Sequence, residues 1–503
     1  MKKALLAIHP AFTVGEIDPR MYGVFLENLG RSVYGGVYDP EHPSADEDGF
    51  RQDVIALMRE MGCSCVRFPG GNAVSAYRWE DSVGPKESRP TRLNVAFHSL
   101  EPHTFGLDEF VRWCRKIGAE PMLTFNLGTR GIEEAEALTE YCNFPGGTPM
   151  SDWRRSHGAA EPYNIKTWFL GNEMSGRWQM PGRDAADYAW VARESAKMVH
   201  SVSPGSELAI CGPCGRFELL APEDWLYQVL TRSYGFVEYV SVHRYLNNRI
   251  TSAAFSPELE ELDDYLAGVI AGCDYIAARQ GNPRKMKICV DEWGVWRGIG
   301  TELRNGDKWE CGAAKIEDSF SMSDALLSGG MLISLLSHAD RVKLACISEA
   351  VNAIAPIRAE KNGKAWRQTI WHPFALTARH ARGTVLRQQL DSDRFTASDG
   401  GRELPAYYGV TVWNREKHEL VLIGLNRLMT EPLALEFRAE GMHLESVEEF
   451  QTMFHPDPEA VNSSEAESVS PTAGAGAAIA QGRLTVELPP ASWNLIRLKI
   501  TVG

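Results

Sequence analysis

"TWFLGNEMSG", residues 167 to 176, decides how the chain is read. Thr167, Trp168, Phe169 and Leu170 make a short apolar run of strand-favouring residues that stops at Gly171. An amide and a carboxylate, Asn172 and Glu173, follow where the run ends. A turn with a solvated acid explains the tripeptide alone. If similar strands surround it, a strand end that carries chemistry explains it better.

Such strands do surround it. Working outward, the other apolar runs are "YGVFLEN" (22–28), "CSCVRFPGG" (63–71), "EPMLTFNLG" (120–128) and "ELAICGP" (207–213). "EYVSVHRY" (238–245), "KICVDEW" (287–293) and "VKLACISE" (342–349) complete a set of eight with "KTWFLGNE" (166–173). Amphipathic patterns separate them, among them "FRQDVIALMREMG", "GLDEFVRWCRKIG", "IEEAEALTEYC", "AADYAWVARESAKMVHSV" and "MSDALLSGGMLISLLSHAD". Eight strands alternating with helices predict an α/β fold, a (β/α)8 TIM barrel, over residues 16–374.

Beyond residue 375 the rhythm changes to "LPAYYGVTVWN", "HELVLIGLNR", "LALEFRA" and "RLTVELPPASWNLIRLKI". These predict an antiparallel, jelly-roll-like β-sandwich over 375–503, with 1–15 added as an edge strand. The polar, Gly/Ala-rich stretch 460–482 reads as a long solvated loop.

The net charge of −14 argues against nucleic acid or an anionic membrane as partner. No apolar run approaches the roughly 20 residues of a membrane span. "MKKALLAIHPAF" has too short an apolar core for a secretory signal, so a cytoplasmic protein is expected. The ten cysteines are then read as reduced thiols. "ICGPCG" at Cys211 to Cys214 has redox-motif spacing, but no amphipathic helix follows at once, and a strand-to-loop turn is the better reading.

A barrel of this kind places chemistry at the C-terminal strand ends. There stand Glu27, Arg67, Asn72, Asn126, Asn172 with Glu173, His243 with Tyr245, Glu292, and Glu349 with Asn352. Glu173 ends the fourth strand and Glu292 the seventh, nearly opposite across the barrel. Facing carboxylates suit glycoside hydrolysis: one protonates the leaving oxygen and the other attacks the anomeric carbon. Asn172 would offer its amide to the sugar 2-hydroxyl, and Trp293 and Trp296 would offer flat faces to the ring. Arg67 and Tyr245 would hold Glu292 ionised, while Glu173, with fewer donors, stays protonated. His243 reads as a hydrogen-bonded support. No metal and no cofactor are called for.

At these residues the sequence resembles glycoside hydrolase family 51, the α-L-arabinofuranosidases. The matching stretches include "GEIDPRMYGVFLENLGRSVYGGVYDP", "VRFPGGNAVSAYRWEDSVGP", "EYCNFPGGT", "WFLGNEMSGRWQ", "SVHRY", "VDEWGVW" and "VNAIAPI". The resemblance implies Glu173 as acid/base and Glu292 as nucleophile, with Glu27, Asn72, Asn172 and Tyr245 holding the furanose. It implies a retaining, exo-acting enzyme on short arabino-oligosaccharides and a homo-oligomer, a hexamer. Four positions depart from the family pattern: Asn28 for histidine, Phe97 for tryptophan, Ser175 for aspartate and Glu349 for glutamine. The last replaces a donor with a group that, ionised, only accepts. It leaves β-D-galactofuranosides and β-xylosides open as substrates. A different class, a metal-dependent barrel lyase or isomerase, would crowd strand-end acids on one ion and need a basic proton abstractor, and no lysine occupies a strand end.

Overall fold

The structure is a computed structural model and describes residues 1–214, 219, 221–298 and 309–502. Each of the eight apolar runs is a strand of a closed parallel barrel. In order they are Gly23–Phe25, Cys65–Phe68, Glu120–Thr124, Thr167–Leu170, Glu207–Cys211, Tyr239–Leu246, Lys287–Val295 and Val342–Ile347. Closure comes where the eighth strand pairs with the seventh, Ala345 opposite Val290, and with the first, Cys346 opposite Gly23.

Residues alternate between two cores. Phe25, Cys65, Met122, Phe169, Ala209, Tyr239, Cys289, Leu344 and Cys346 fill the barrel interior, while Val24, Val66, Leu123, Trp168 and Ile210 face the helices. Both faces are buried, so each strand reads as an unbroken apolar run rather than an alternating one. The helices follow the amphipathic patterns; Ala185–Val202, for example, begins where the Asp184 carboxylate accepts the Asp187 N–H. No helix among the described residues is long and apolar enough to cross a membrane.

The C-terminal domain is mostly strand. Its hydrogen bonds run through one ten-stranded sheet that folds over on itself, so Leu6, Leu435 and Leu484 from one half meet Leu422, Leu444 and Leu498 from the other. Two expectations need correction. Lys2–Glu16 belongs to this sheet but is no edge strand: it pairs antiparallel with Thr384–Ser392 and parallel with Leu433–Ala439. The alternating burial of Ala4, Leu6 and Ile8 fits either place, and only the partners decide. The stretch 460–482 is not all solvated loop. It supplies the short strands Thr472–Ala473 and Ala478–Ala480 at the two ends of the sheet and buries Asn462 and Val469.

The sheet's other face packs on the barrel. Val412, Ile423, Leu425, Trp493 and Leu495 join the barrel's core against helix Met322–Ser337, which is buried from Met322 to Leu336. A Cβ at Gly329 would come within 2.5 Å of the Trp493 ring. That close approach accounts for glycine inside a helix where alanine is intrinsically better. Helix Trp371–His380, which packs on Gln52–Met61 and Met322–Ser337, runs across the expected division at 374/375.

Candidate active site

A pocket of about 690 Å³ opens at the C-terminal ends of the strands, within the usual size of small-ligand sites. Glu27, Asn72, Glu173, His243, Tyr245, Glu292, Trp296 and Glu349 line it, with Phe97 and Trp178. Arg67 and Asn172 lie behind this wall, both buried.

Arg67 organises the floor. Its guanidinium is sandwiched between the rings of Phe25 and Phe169, 4.7 and 4.9 Å from their centroids. Nη1 donates to Glu292 Oε1 at 2.8 Å and Nη2 to Asn172 Oδ1 at 2.5 Å. Nε lies 3.0 Å from Asp291 Oδ2. Tyr245 donates to the other Glu292 oxygen, Oε2, at 2.9 Å. Arg67 and Tyr245 thus each hold one oxygen of Glu292. Asn172 turns its Nδ2 towards Asn72 Oδ1, 3.4 Å away.

Glu173 departs from expectation. It has two N–H neighbours: His243 Nδ1 at 2.9 Å from Oε1, and Trp178 Nε1, which donates to Oε2. Burial pushes its carboxyl up, but these donors and the His243 charge bring it below the usual range. For Glu292, burial prevails over the charges of His243 and Arg67 and leaves its carboxyl above the ordinary value.

His243 stands between three carboxylates, those of Glu173, Glu292 and Asp291. Its Nδ1 also lies 3.4 Å from Glu292 Oε2, and its Nε2 lies 3.4 Å from Asp291 Oδ2. Carboxylates therefore face both ring nitrogens, and only the doubly protonated ring can donate to both. Burial opposes that charge, yet Glu292 and Asp291 hold the ring's pKa up to about 10. Asp291 itself is also buried, but the charges of Arg67 and His243 bring it down to about 2.

Two further acids complete the wall. Glu349 Oε2 accepts from the Glu27 main-chain N–H and from the Ser32 hydroxyl, both at 3.1 Å. Burial and the neighbouring acids push the carboxyls of Glu27 and Glu349 well above the ordinary carboxylate range. The glycine of "PGGN" is dictated by this wall: Gly71 has φ +42°, and a Cβ there would lie 2.2 Å from Glu27 Oε2.

Other candidates resolve differently. Trp293 is fully buried and stacks on Phe374, so it is core rather than a sugar platform. Trp296 lines the pocket edge-on to Tyr245, their rings 5.5 Å apart. Asn126 ties down its own loop, donating to Tyr77 O and Thr129 Oγ1, and Asn352 likewise bonds backbone at Arg31 and Ala359. Asn28 is buried with neither amide atom hydrogen-bonded, and Ser175 accepts the Cys214 N–H. Cys211 donates its thiol to Leu170 O, and burial pushes it up to about 11, unlike a redox thiol. In "GRFELL", which follows Cys214, residues 215–218 and 220 lie outside the described residues.

Sequence reading missed Asp291 and Trp178. The adjacency of Asp291 to Glu292 was the available signal for the first. Among the described residues, Glu173, His243 and Glu292 are the group that could hold a cation, with ligand atoms within 4.8 Å of one another. The His243 proton, Arg67 and Tyr245 compete for the same oxygens.

Known proteins resemble the chain over nearly its whole length. Family models described as Alpha-L-arabinofuranosidase 1 domain and Alpha-L-arabinofuranosidase C-terminal domain match residues 57–255 and 291–492. An intracellular exo-α-(1→5)-L-arabinofuranosidase from Acetivibrio thermocellus is 41% identical, covering 99% of this chain and 100% of the relative. A solved family 51 α-L-arabinofuranosidase from Bifidobacterium longum superposes with a TM-score of 0.92 at 36% identity, covering 99% of this chain and 100% of that one. The chain belongs to glycoside hydrolase family 51.

Members of this family differ in linkage at similar distance from this chain. An exo-α-(1→6)-L-arabinofuranosidase from Bifidobacterium longum is 38% identical, covering 99% of this chain and 98% of that relative. Linkage therefore depends on the pocket wall, which includes Phe97 and Glu349.

Proposed function

We propose that the protein is a retaining, exo-acting α-L-arabinofuranosidase that works inside the cell on short arabino-oligosaccharides. The observation that carries this is the placement of Glu173 and Glu292, with oxygens within 4.8 Å across one pocket. A carboxyl separation of about 5 Å is the retaining arrangement, too close to seat an attacking water between acid and base. The pocket volume of about 690 Å³ suits a terminal sugar and its leaving group rather than a long chain.

In this reading Glu292, held at both oxygens by Arg67 and Tyr245, attacks the anomeric carbon. Glu173 protonates the departing oxygen, then draws a proton from the water that releases arabinose. Glu27, Asn72, Asn172, Tyr245 and Glu349 bind the furanose hydroxyls, and Arg67, His243 and Trp296 support them. The names of the relatives favour the α-L-arabinofuranoside reading.

A panel of nitrophenyl glycosides tests it, with proton NMR of the first-formed sugar. Fastest turnover of the α-L-arabinofuranoside with a retained anomer is expected. Preference for a β-D-galactofuranoside or β-xyloside would replace the substrate, and an inverted product would end the double displacement. The hexamer implied by the resemblance is tested by light scattering of the eluted protein.

A further inference from the structure

Asp291 is buried beside the nucleophile and does not line the pocket. Its Oδ2 lies 3.0 Å from Arg67 Nε and 3.4 Å from His243 Nε2. Its Oδ1 accepts from Ser241 at 2.6 Å and from the Cys289 thiol at 3.4 Å. One carboxylate thus holds both the cation that orients Glu292 and the ring that bonds Glu173.

We propose that Asp291 is a positioning residue that stores the catalytic proton on His243, from which Glu173 receives it when substrate binds. The proposal rests on Glu173 being the acid/base. With Asp291 on Nε2 and Glu173 on Nδ1, the free site holds an imidazolium and an ionised Glu173. A furanoside that excludes water from the pocket weakens the solvation of this ion pair. The Nδ1 proton then passes to Glu173 Oε1 along the 2.9 Å hydrogen bond, leaving neutral His243 with its Nε2–H still on Asp291. Glu173 gives that proton to the leaving oxygen as the glycosidic bond breaks. In the second step the attacking water gives a proton to Glu173, which returns it to Nδ1. No proton is gained or lost over the cycle beyond those of hydrolysis.

The groups that set this equilibrium come from five strands. Glu173 faces the imidazole from the fourth, Asp291 and Glu292 from the seventh, and Ser241 and Tyr245 share its own strand. Arg67 of the second strand lies beyond Asp291, and Glu27 of the first couples to Glu292. Among these Asp291 is the anion that contacts the ring without taking part in bond making. The ring's pKa of about 10 agrees with this placement.

Asp291→Asn keeps an oxygen for Ser241 and removes the charge. The alkaline limb of kcat/KM should move down by about one pH unit or more, while the acid limb stays within a few tenths. A merely structural role would lower activity at every pH and leave both limbs in place. In a His243→Gln background the same substitution should produce no further shift. Nitrogen-15 NMR of histidine-labelled wild type, with His243 assigned from its loss in His243→Gln, should show a doubly protonated ring at pH 7. A neutral ring there, or an unmoved limb in folded Asp291→Asn, overturns the proposal. If Glu173→Ala is rescued by azide while the limb stays fixed, only the proton store falls. If azide fails to rescue it, the acid/base assignment falls first.

Discussion

His243 and Glu173 are joined by a 2.9 Å hydrogen bond between Nδ1 and Oε1, so the ionisation of each depends on that of the other. In the proposed mechanism the alkaline limb of the pH profile belongs to this pair. Two substituents act on it in opposite senses: Asp291 holds the proton in, and the Trp178 N–H favours the ionised carboxylate.

Removal of the acid should depend on the leaving group. Glu173→Ala is expected to lose several orders of magnitude on arabino-oligosaccharides but far less on nitrophenyl arabinofuranosides, which need little protonation. Azide should restore turnover by trapping the glycosyl-enzyme. Equal losses on both substrate types would remove Glu173 from the role.

Trp178→Phe keeps an aromatic ring and deletes the N–H. Without that donor Glu173 holds its proton to higher pH, so the alkaline limb should rise, the reverse of Asp291→Asn. The limb is read from kcat/KM between pH 7 and pH 10. A fall or no change would mean that the indole serves packing alone. Trp178 is 52% exposed at the pocket mouth, so the protein should fold normally.

Glu349→Gln tests the unusual acid. Protonated, Glu349 offers one O–H where glutamine offers an amide, and that donor is lost once the acid ionises. KM of the wild type should therefore climb at high pH while KM of the variant stays level. Because both donors to Glu349 reach the same oxygen, Oε2, the variant can keep them on its amide oxygen. Identical KM profiles and identical ratios across furanosides would make Glu349 a bystander.

Glu134, buried in the first turn of Ile132–Asn143, gives a stability prediction away from the site. Burial raises its pKa from the usual 4.5 to about 8, and its Oε2 has no partner. A raised folded pKa means a contribution present at low pH and lost as pH climbs through about 8. Glu134→Gln should accordingly leave Tm nearly unchanged at pH 5 and increase it at pH 9. Calorimetry at the two values decides the matter, and a larger gain at pH 5 would contradict the sign.

The barrel was legible because both faces of every strand are buried, so eight apolar runs stand out without periodicity. Glu173 and Glu292 followed from their positions at strand ends. Their ionisation did not follow, because it depends on His243, Trp178 and Asp291, which meet them only in space. Trp293 shows the same limit: its neighbour Glu292 faces the pocket, and the next side chain along a strand points the other way. Lys2–Glu16 was assigned to the right sheet but the wrong place in it, because a strand's own residues do not say how many partners it has.

That strand's location also bears on how the polypeptide is made. Ala4 pairs with Ser392, a separation of 388 positions (392 minus 4). At about 5–20 residues per second, a ribosome needs tens of seconds to supply the first partner. Throughout that interval the growing chain carries an amphipathic segment with two open edges, a template for unwanted pairing between nascent chains. Lys2 and Lys3 place charge at its tip, the usual guard against such pairing. Neutralising both should lower soluble yield during fast expression while leaving the purified enzyme unaltered.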